Sequence, residues 1–237
     1  MKLKEIKKVT NLQKSARIVG ILFILGTVSG LLSLNMVSIL NAPDYMVKFS
    51  ENKTSVVFGV LSVLTMGISL SMMSVVLYPV IKKYNEALAL GAVIFRGALE
   101  LASYLGIAAS WLMLLLLSKR YVLEGSPVAS EYLLMGDTLK DLAFVSGSMG
   151  LGAIVFSIGA IIIYYVFLKT RLLPVWLSVW GLIGAVLYIS TPILMMFGLN
   201  LEFLQYILGV QEMVMAVWLI VKGFNKSVVS AMMINTD

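Results

Sequence analysis

The chain of 237 residues contains neither cysteine nor histidine. Without cysteine it has no disulfide framework and no thiolate nucleophile. Without histidine it lacks the commonest general base and the commonest metal ligand. Zinc sites, haem held by His or Cys, iron–sulfur clusters and Ser-His-Asp triads are therefore excluded as sources of activity. We expect no metal and no other cofactor.

Charge is scarce as well. Asp, Glu, Lys and Arg make up 13% of the chain, whereas about a quarter of a soluble domain is charged. Hydrophobic residues make up 60% of the chain, and its mean hydropathy is +0.98. This composition predicts a multi-pass protein of the cell membrane (plasma or inner membrane). The net charge of +6 lies mainly at the ends of hydrophobic runs, so we expect membrane lipids rather than nucleic acid as partners.

Six hydrophobic runs are long enough to cross a bilayer, for which a helix needs about 20 residues. They predict an all-α fold, a polytopic bundle of six transmembrane helices in one domain over residues 16–224. The predicted spans are residues 16–40, 55–80, 88–117, 142–168, 173–197 and 203–221. A basic segment, residues 1–15, precedes the bundle, and a polar tail, residues 225–237, follows it.

Two of the connections between spans are predicted in more detail. Residues 41–54 are predicted as a short polar loop. Residues 118–141 are predicted as the only sizeable loop, with a short amphipathic helix that leads into the fourth span.

The distribution of Lys and Arg predicts the orientation of the bundle. Twelve of them lie with the N-terminus, the tail and the second and fourth loops, and five lie in the other three loops. Positively charged residues concentrate on the cytoplasmic side of membrane proteins. Both termini are therefore predicted to be cytoplasmic, and an even number of spans agrees with this.

The third span contains two ionisable residues, Arg96 and Glu100. Each costs about 2.5–3.5 kcal/mol at the centre of a bilayer on insertion scales. Because they are four residues apart on a helix, they lie on one face and are close enough to pair. Tyr104 extends that face by one more turn. We expect this face to point into the bundle, away from lipid.

The sixth span contains Glu212, on the same helical face as Gln205. Arg96 and Glu212 each lie ten residues, or about 15 Å, from a charged residue at the cytoplasmic end of their span. Arg96 is therefore expected to bond Glu212 across the bundle and Glu100 within its own helix. These residues are the candidate ligand-binding or proton-handling site: Arg96, Glu100, Tyr104, Gln205 and Glu212. No catalytic residue is assigned.

Three segments carry a resemblance to a known family: LYPVIKKYNEALALGAVIFRGALE (77–100), LLPVWLSVWGLIGA (172–185) and QEMVMAVWLIVKGF (211–224). They resemble a bacterial and archaeal six-span membrane family known only as a domain of unknown function, family four-three-eight-six. The resemblance runs from about Arg17 to Phe224. It implies six helices in one domain and no assigned activity, and the family's recurring polar positions correspond to Arg96, Glu100 and Glu212.

The charged residues leave two interpretations open. Two carboxylates beside one cation have a net charge of −1 when both are ionised, so one of them is a candidate for proton exchange. Alternatively, the cluster is a hydrogen-bonded pin that determines which helices are neighbours.

Three classes of function follow from these interpretations. The first is a bundle that transports or binds a small solute or an ion, or whose transport is linked to protons. The second is a membrane sensor, or an accessory or structural subunit, without transport. An intramembrane enzyme is the least supported, because the chain has no Gly-x-Ser-x-Gly motif and no His or Cys. Six spans are few for a typical secondary carrier, so a homodimer or another membrane subunit is a candidate partner.

Overall fold

The computed structural model describes residues 2–127, 131–147 and 149–234. These residues form eleven α-helices and one π-helical segment, Val93–Leu99, with no strand among them. The α-helices are α1 (Lys2–Ser33), α2 (Asn35–Leu40), α3 (Tyr45–Glu51), α4 (Lys53–Ile81), α5 (Glu86–Ala92), α6 (Glu100–Leu123), α7 (Glu131–Ser146), α8 (Leu151–Thr170), α9 (Val175–Met196), α10 (Leu204–Val221) and α11 (Lys226–Ile234).

Some predicted segments extend beyond the described residues. Met1 belongs to the predicted basic segment, residues 128–130 to the connection between the third and fourth spans, Ser148 to the fourth span and residues 235–237 to the tail. These positions lie outside the part of the chain that the structure describes.

Six helical stretches in the described residues are long and apolar enough to cross a membrane. They are Val9–Leu40, Lys53–Ile81, Glu86–Leu123, Glu131–Thr170, Val175–Met196 and Leu204–Val221. The third stretch consists of α5, the π-helical segment and α6, and the fourth consists of α7 and α8. The prediction of an all-α bundle with six membrane helices is confirmed, and the orientation of its termini stays a prediction.

The connections differ from the predicted loops. Residues 41–54 contain helix α3, whose side chains Tyr45, Met46 and Phe49 are buried, so the loop prediction for this segment is wrong. Between the third and fourth spans, α6 continues to Leu123 and α7 begins at Glu131. The predicted amphipathic helix is thus the first half of a longer fourth stretch.

The fourth stretch is interrupted between Ser146 and Leu151. The sequence around this break is SGSMGLG. Glycine and serine supply little side-chain packing and favour the helix less than alanine does, so a helix ends easily in such a segment. The predicted fourth span, residues 142–168, crosses this break.

Two hydrophobic cores stabilise the bundle. The larger is built mainly from α1, α4, α8, α9 and α10. The second joins α2 and α3 to α4, α6 and α7. There Tyr45 Oη donates a hydrogen bond to Asp137 Oδ1 at 2.8 Å, and burial together with this bond raises the pKa of Tyr45 above its usual range. Helix α3 is thereby fastened to α7.

The π-helical segment lies inside the bundle, in contact with α4 and α8. Helix α10 packs between α1 and α9. This arrangement brings the middle of the third span and the middle of the sixth span close enough for their charged side chains to meet.

Candidate functional site

Arg96 lies in the π-helical segment Val93–Leu99, and Glu100 begins the α-helix that follows. A π-helix has hydrogen bonds from residue i to i+5, is rare, and occurs mostly as a single turn within an α-helix, frequently at functional sites. The geometry of the third span therefore departs from a regular helix at Arg96, its buried basic residue. No periodicity in VIFRGAL predicted this.

The side chain of Arg96 binds two carboxylates. Its Nη1 donates to Oε1 and to Oε2 of Glu100, each at 3.0 Å. Its Nη2 donates to Glu212 Oε1 at 2.8 Å. The pairing expected from helical depth is thus confirmed, within the third span and across to the sixth. In addition, Tyr104 Oη donates to Glu100 Oε1 at 3.0 Å.

Arg96, Glu100, Tyr104 and Glu212 form what we call the charged cluster, and its members differ in burial. The side chains of Arg96 and Glu100 are 1% and 2% exposed, whereas that of Glu212 is 12% exposed. Charges removed from water in this way need partners within the protein. Glu100 has contacts on both oxygens, and Glu212 is the more accessible carboxylate.

Aromatic rings surround the guanidinium of Arg96. Its Cζ lies 4.0 Å from the ring centroid of Phe156 in α8 and 5.7 Å from that of Phe23 in α1. A cation over the face of an aromatic ring is attracted by the ring's quadrupole, most strongly when both are desolvated. The ring of Tyr188 lies 4.7 Å from that of Phe156. Helices α1, α8 and α9 therefore close the apolar side of the charged cluster.

Gly159 allows α8 to approach Arg96 this closely. A Cβ atom at this position would lie 2.7 Å from both the backbone nitrogen and the Cβ of Arg96. These are shorter than van der Waals contacts, and one of them involves backbone, which cannot move aside as a flexible side chain can. Only glycine fits here without displacing the π-helical segment.

A second polar group lies beside the charged cluster. Tyr164 Oη in α8 donates to Gln211 Oε1 at 2.7 Å, and Gln211 Nε2 donates to the carbonyl oxygen of Leu177 in α9 at 3.0 Å. Gln211 and Glu212 are consecutive residues, so the same turn of α10 bonds Tyr164 through Gln211 and Arg96 through Glu212. Tyr164 and Gln211 were not predicted as site residues from the sequence, although a glutamine in an apolar span was a usable signal.

Gln205 is the fifth predicted site residue. It is buried in α10, seven residues before Glu212, which corresponds to about 10 Å along a helix. The hydrogen bonds described above join the other four predicted residues.

Two surface grooves lie away from the charged cluster. One surface groove, of about 600 Å³, is lined by the α8–α9 and α10–α11 connections and the adjoining helix ends. A smaller one, of about 260 Å³, lies on α9 at Leu182 and Leu187. Neither is lined by the charged cluster. Within the described residues, no group of three or more His, Cys, Asp or Glu side chains could hold a metal ion.

The hydroxyl of Ser74 in α4 is a further polar group near the π-helical segment. Among the described side chains, Ser74 Oγ is buried without a hydrogen-bond partner. A Cβ at Gly97, the residue after Arg96, would lie 3.7 Å from Ser74 Cβ. The Ser74 hydroxyl can both donate and accept a hydrogen bond, and it lies unused beside the segment that contains Arg96. This is unusual, because most buried polar groups in proteins have a hydrogen-bond partner.

Comparison with known proteins identifies a family but no individual relative. A search of curated proteins and a search of solved structures find no match. A family model described as "Domain of unknown function (DUF4386)" matches residues 18–223, which include all six membrane helices apart from the first part of the first. The chain belongs to this family.

Proposed function

We propose that the protein is a proton-linked transport or binding bundle for a small solute or ion, in which Glu212 exchanges the proton. The observation that supports this most directly is the stoichiometry of the charged cluster: two carboxylates share one buried guanidinium. With both carboxylates ionised the cluster has a net charge of −1, and one proton neutralises it. In a low-dielectric interior the neutral state is strongly favoured over an unpaired charge.

The contacts of the two carboxylates distinguish their roles. Glu100 binds Arg96 through both oxygens and also accepts a hydrogen bond from Tyr104. Glu212 binds Arg96 through Oε1 and is 12% exposed, against 2% for Glu100. Glu212 is therefore the carboxylate that a proton can reach, and Glu100 is the permanent counterion of Arg96.

Protonation of Glu212 weakens the bond that joins the third span to the sixth. The ion pair between Arg96 and Glu212 becomes a bond between a cation and a neutral acid, and Nη2 of Arg96 becomes available to another acceptor. Helix α10 can then separate from the π-helical segment. In this second conformation, Arg96 Nη2 and the unpaired Ser74 hydroxyl are the groups offered to a solute.

The same proposal includes the predicted setting of the protein. It places both termini on the cytoplasmic side of the cell membrane, with lipids as partners and a second copy or another membrane subunit as a further one. Reporter fusions at Lys83 and Asp237 should then be cytoplasmic, and a fusion at Ser126 should be external. An external reporter at Asp237 would contradict the orientation.

A membrane sensor or accessory subunit without transport is the second candidate. It is favoured by the position of the charged cluster, which lines neither of the two described grooves. In this case the cluster is a pin, and the bonds from Arg96 to Glu100 and Glu212 serve only to hold the third and sixth spans together.

Infrared difference spectroscopy of the protein in proteoliposomes tests the proposal. During a pH titration we expect a band from a protonated carboxyl group that disappears in Glu212→Gln. Glu202→Gln is the matched control, because Glu202 is an exposed carboxylate in the connection before α10. The control should keep the band. A pH-sensitive dye inside the same vesicles reports whether protons cross the membrane.

The outcomes separate the two candidate functions. A band that Glu212→Gln removes, together with proton flux that it abolishes, supports transport. The same band without flux under any condition would show that Glu212 binds a proton without transport, whereas the absence of any band that depends on Glu212 supports the second candidate, in which the cluster is a pin. A titration that is identical in the parent and in Glu212→Gln would contradict proton exchange at this residue.

A further inference from the structure

The larger groove lies at one end of the bundle, where α9 begins and α10 ends. Its volume is about 600 Å³. We call it the basic groove, because three cationic side chains line it together with apolar ones. The cations are Arg171, Lys222 and Lys226, and the apolar side chains include Val175, Trp218 and Val221.

The three cations are available for binding. Each is exposed, and the ion pairs within the described residues involve other side chains. None of the residues that line the basic groove is Asp or Glu. Three positive charges at one groove without a carboxylate among them form a site for an anion.

Arg171 occupies a backbone conformation that suits other residues better. Its φ angle is +56°, in the left-handed region, where it ends helix α8. Helices that end in this way usually have glycine at that position and sometimes asparagine, because a side chain with a Cβ costs about 1–2 kcal/mol there. The arginine therefore contributes something other than backbone stability, and it is one of the residues that line the groove.

The walls of the basic groove are held by bonds between distant parts of the chain. The Asn225 N–H donates to the carbonyl oxygen of Leu172 at 2.9 Å. Gln13 in α1 donates through Nε2 to the carbonyl oxygen of Phe224 at 2.7 Å and accepts from the N–H of Phe224 at 3.1 Å. The groove is thus preformed, which lowers the cost of binding.

Two tryptophans mark this end of the bundle as a membrane interface. The rings of Trp176 and Trp218 meet edge to face, with centroids 6.3 Å apart. Tryptophan is enriched where the hydrocarbon core meets water. A groove at this depth, lined by cations as well as by apolar side chains, is complementary to an amphiphile with a negatively charged head.

We propose that the basic groove binds the phosphate-bearing headgroup of an anionic membrane lipid. The guanidinium of Arg171 can donate two parallel hydrogen bonds to phosphate oxygens, while Lys222 and Lys226 add positive charge. The part of the acyl chain nearest the headgroup lies along Val175 and Val221. A soluble phosphate compound would use the same cations and leave the apolar side uncovered. This site is separate from the charged cluster and does not depend on the function proposed there.

The test is a thermal-shift titration of the full chain in a neutral detergent, followed by tryptophan fluorescence. The probes are phosphatidylglycerol, phosphatidylcholine and inorganic phosphate. The variants are Lys222→Gln and Arg171→Asn. The matched control is Lys169→Gln, which removes a charge from the last turn of α8, two residues before Arg171, but not from the groove lining. Asparagine tolerates the left-handed conformation, so Arg171→Asn should not lower the melting temperature without lipid.

We expect phosphatidylglycerol to raise the melting temperature more than phosphatidylcholine does. Each groove variant should weaken the apparent affinity for phosphatidylglycerol about fivefold, and Lys169→Gln should not change it. Equal stabilisation by both lipids, or equal losses in all three variants, would overturn the proposal in favour of general surface attraction. Stabilisation by inorganic phosphate alone would overturn the lipid assignment and indicate a soluble phosphate compound.

Discussion

The charged cluster and the basic groove use arginine in opposite ways. The guanidinium of Arg96 is 1% exposed and bonded to two carboxylates. That of Arg171 is exposed, and none of the described ion pairs includes it. In the hydrocarbon core neither water nor lipid can satisfy a charge, so the protein must provide the partners. At the interface, water and headgroups are the partners, and the protein can leave the charge available.

The difference has an energetic consequence. Removing a charge from the cluster strands its buried partners, whereas removing one from the groove affects only what the groove binds. Loss of Arg96 should therefore lower the stability of the fold, whereas loss of Arg171 should lower lipid binding and leave the fold stable.

The largest expected effect belongs to Arg96→Ala. This variant leaves two carboxylates together inside the bundle, and breaking a buried pair costs roughly 3–5 kcal/mol in soluble proteins. The free energy of unfolding in mixed micelles measures it, with Arg171→Gly as the matched control. If the two variants unfold alike, the distinction between the two regions is wrong.

A charge exchange sharpens this prediction. Arg96→Glu combined with Glu212→Arg keeps one cation and two carboxylates. If the cluster is only a pin, the double variant should recover both stability and activity relative to the single variants. If Glu212 exchanges a proton, stability should return without activity.

Glu100→Gln should have a smaller effect, about 1.5–3 kcal/mol, since it removes the charge of a buried hydrogen-bonded group. A neutral amide still accepts a hydrogen bond from Arg96, so the loss stays below that of Arg96→Ala. The same unfolding measurement applies, with the exposed Glu51→Gln as control. A loss equal to that of Arg96→Ala would mean that the carboxylate charge, rather than the hydrogen bond, holds the third span.

Gly159→Ala should cost about 1–3 kcal/mol, the usual range for overpacking. The added methyl group meets the backbone of Arg96 and moves the guanidinium relative to Phe156. Gly209→Ala is the control, because a Cβ at Gly209 has no atom outside its own helix and chain neighbours within 4 Å. Equal melting temperatures for the two variants would show that α8 adjusts without affecting the cluster.

The smallest effect, and one of opposite sign, is expected for Arg171→Gly. Relief of the left-handed backbone contributes about 1–2 kcal/mol, and the greater conformational freedom of glycine in the unfolded chain opposes it by roughly 0.5–1 kcal/mol. The net gain in stability should therefore be about 1 kcal/mol. Thermal unfolding without lipid measures the net change. A marked loss of stability would show that Arg171 supports the fold itself.

The depth of a residue along its span could be predicted from the sequence. Which neighbouring helix that residue faces could not. The rise per residue is constant, so counting ten residues from the span ends placed Arg96 and Glu212 at one level. The approach of Gly159 to Arg96 depends on how α8 is rotated against the third span. That rotation depends on packing between spans distant in sequence. The π-helical segment could not be predicted either, because the residues around Arg96 are those of an ordinary apolar helix.

Two features that were not predicted, helix α3 and the role of Gln211, had a recognisable sign in the nearby sequence. In residues 41–54, the buried Tyr45, Met46 and Phe49 recur with helical spacing, which is a helix pattern within a polar segment. Gln211 was a polar residue in an apolar span, and its bond to Tyr164 could not be inferred because it joins α8 to α10.

The two partners of Arg96 become available at different times during synthesis. Glu100 follows it by four residues, so that pair can form within the third span as it enters the bilayer, and the span inserts as a neutral unit. Glu212 follows by 116 residues, which at roughly 5–20 residues per second takes about 6–23 seconds. Throughout that interval Glu100 is the counterion that keeps Arg96 in the membrane. A ribosome-bound chain that ends before Glu212 should therefore retain its third span, and the same chain with Glu100→Ala should release it.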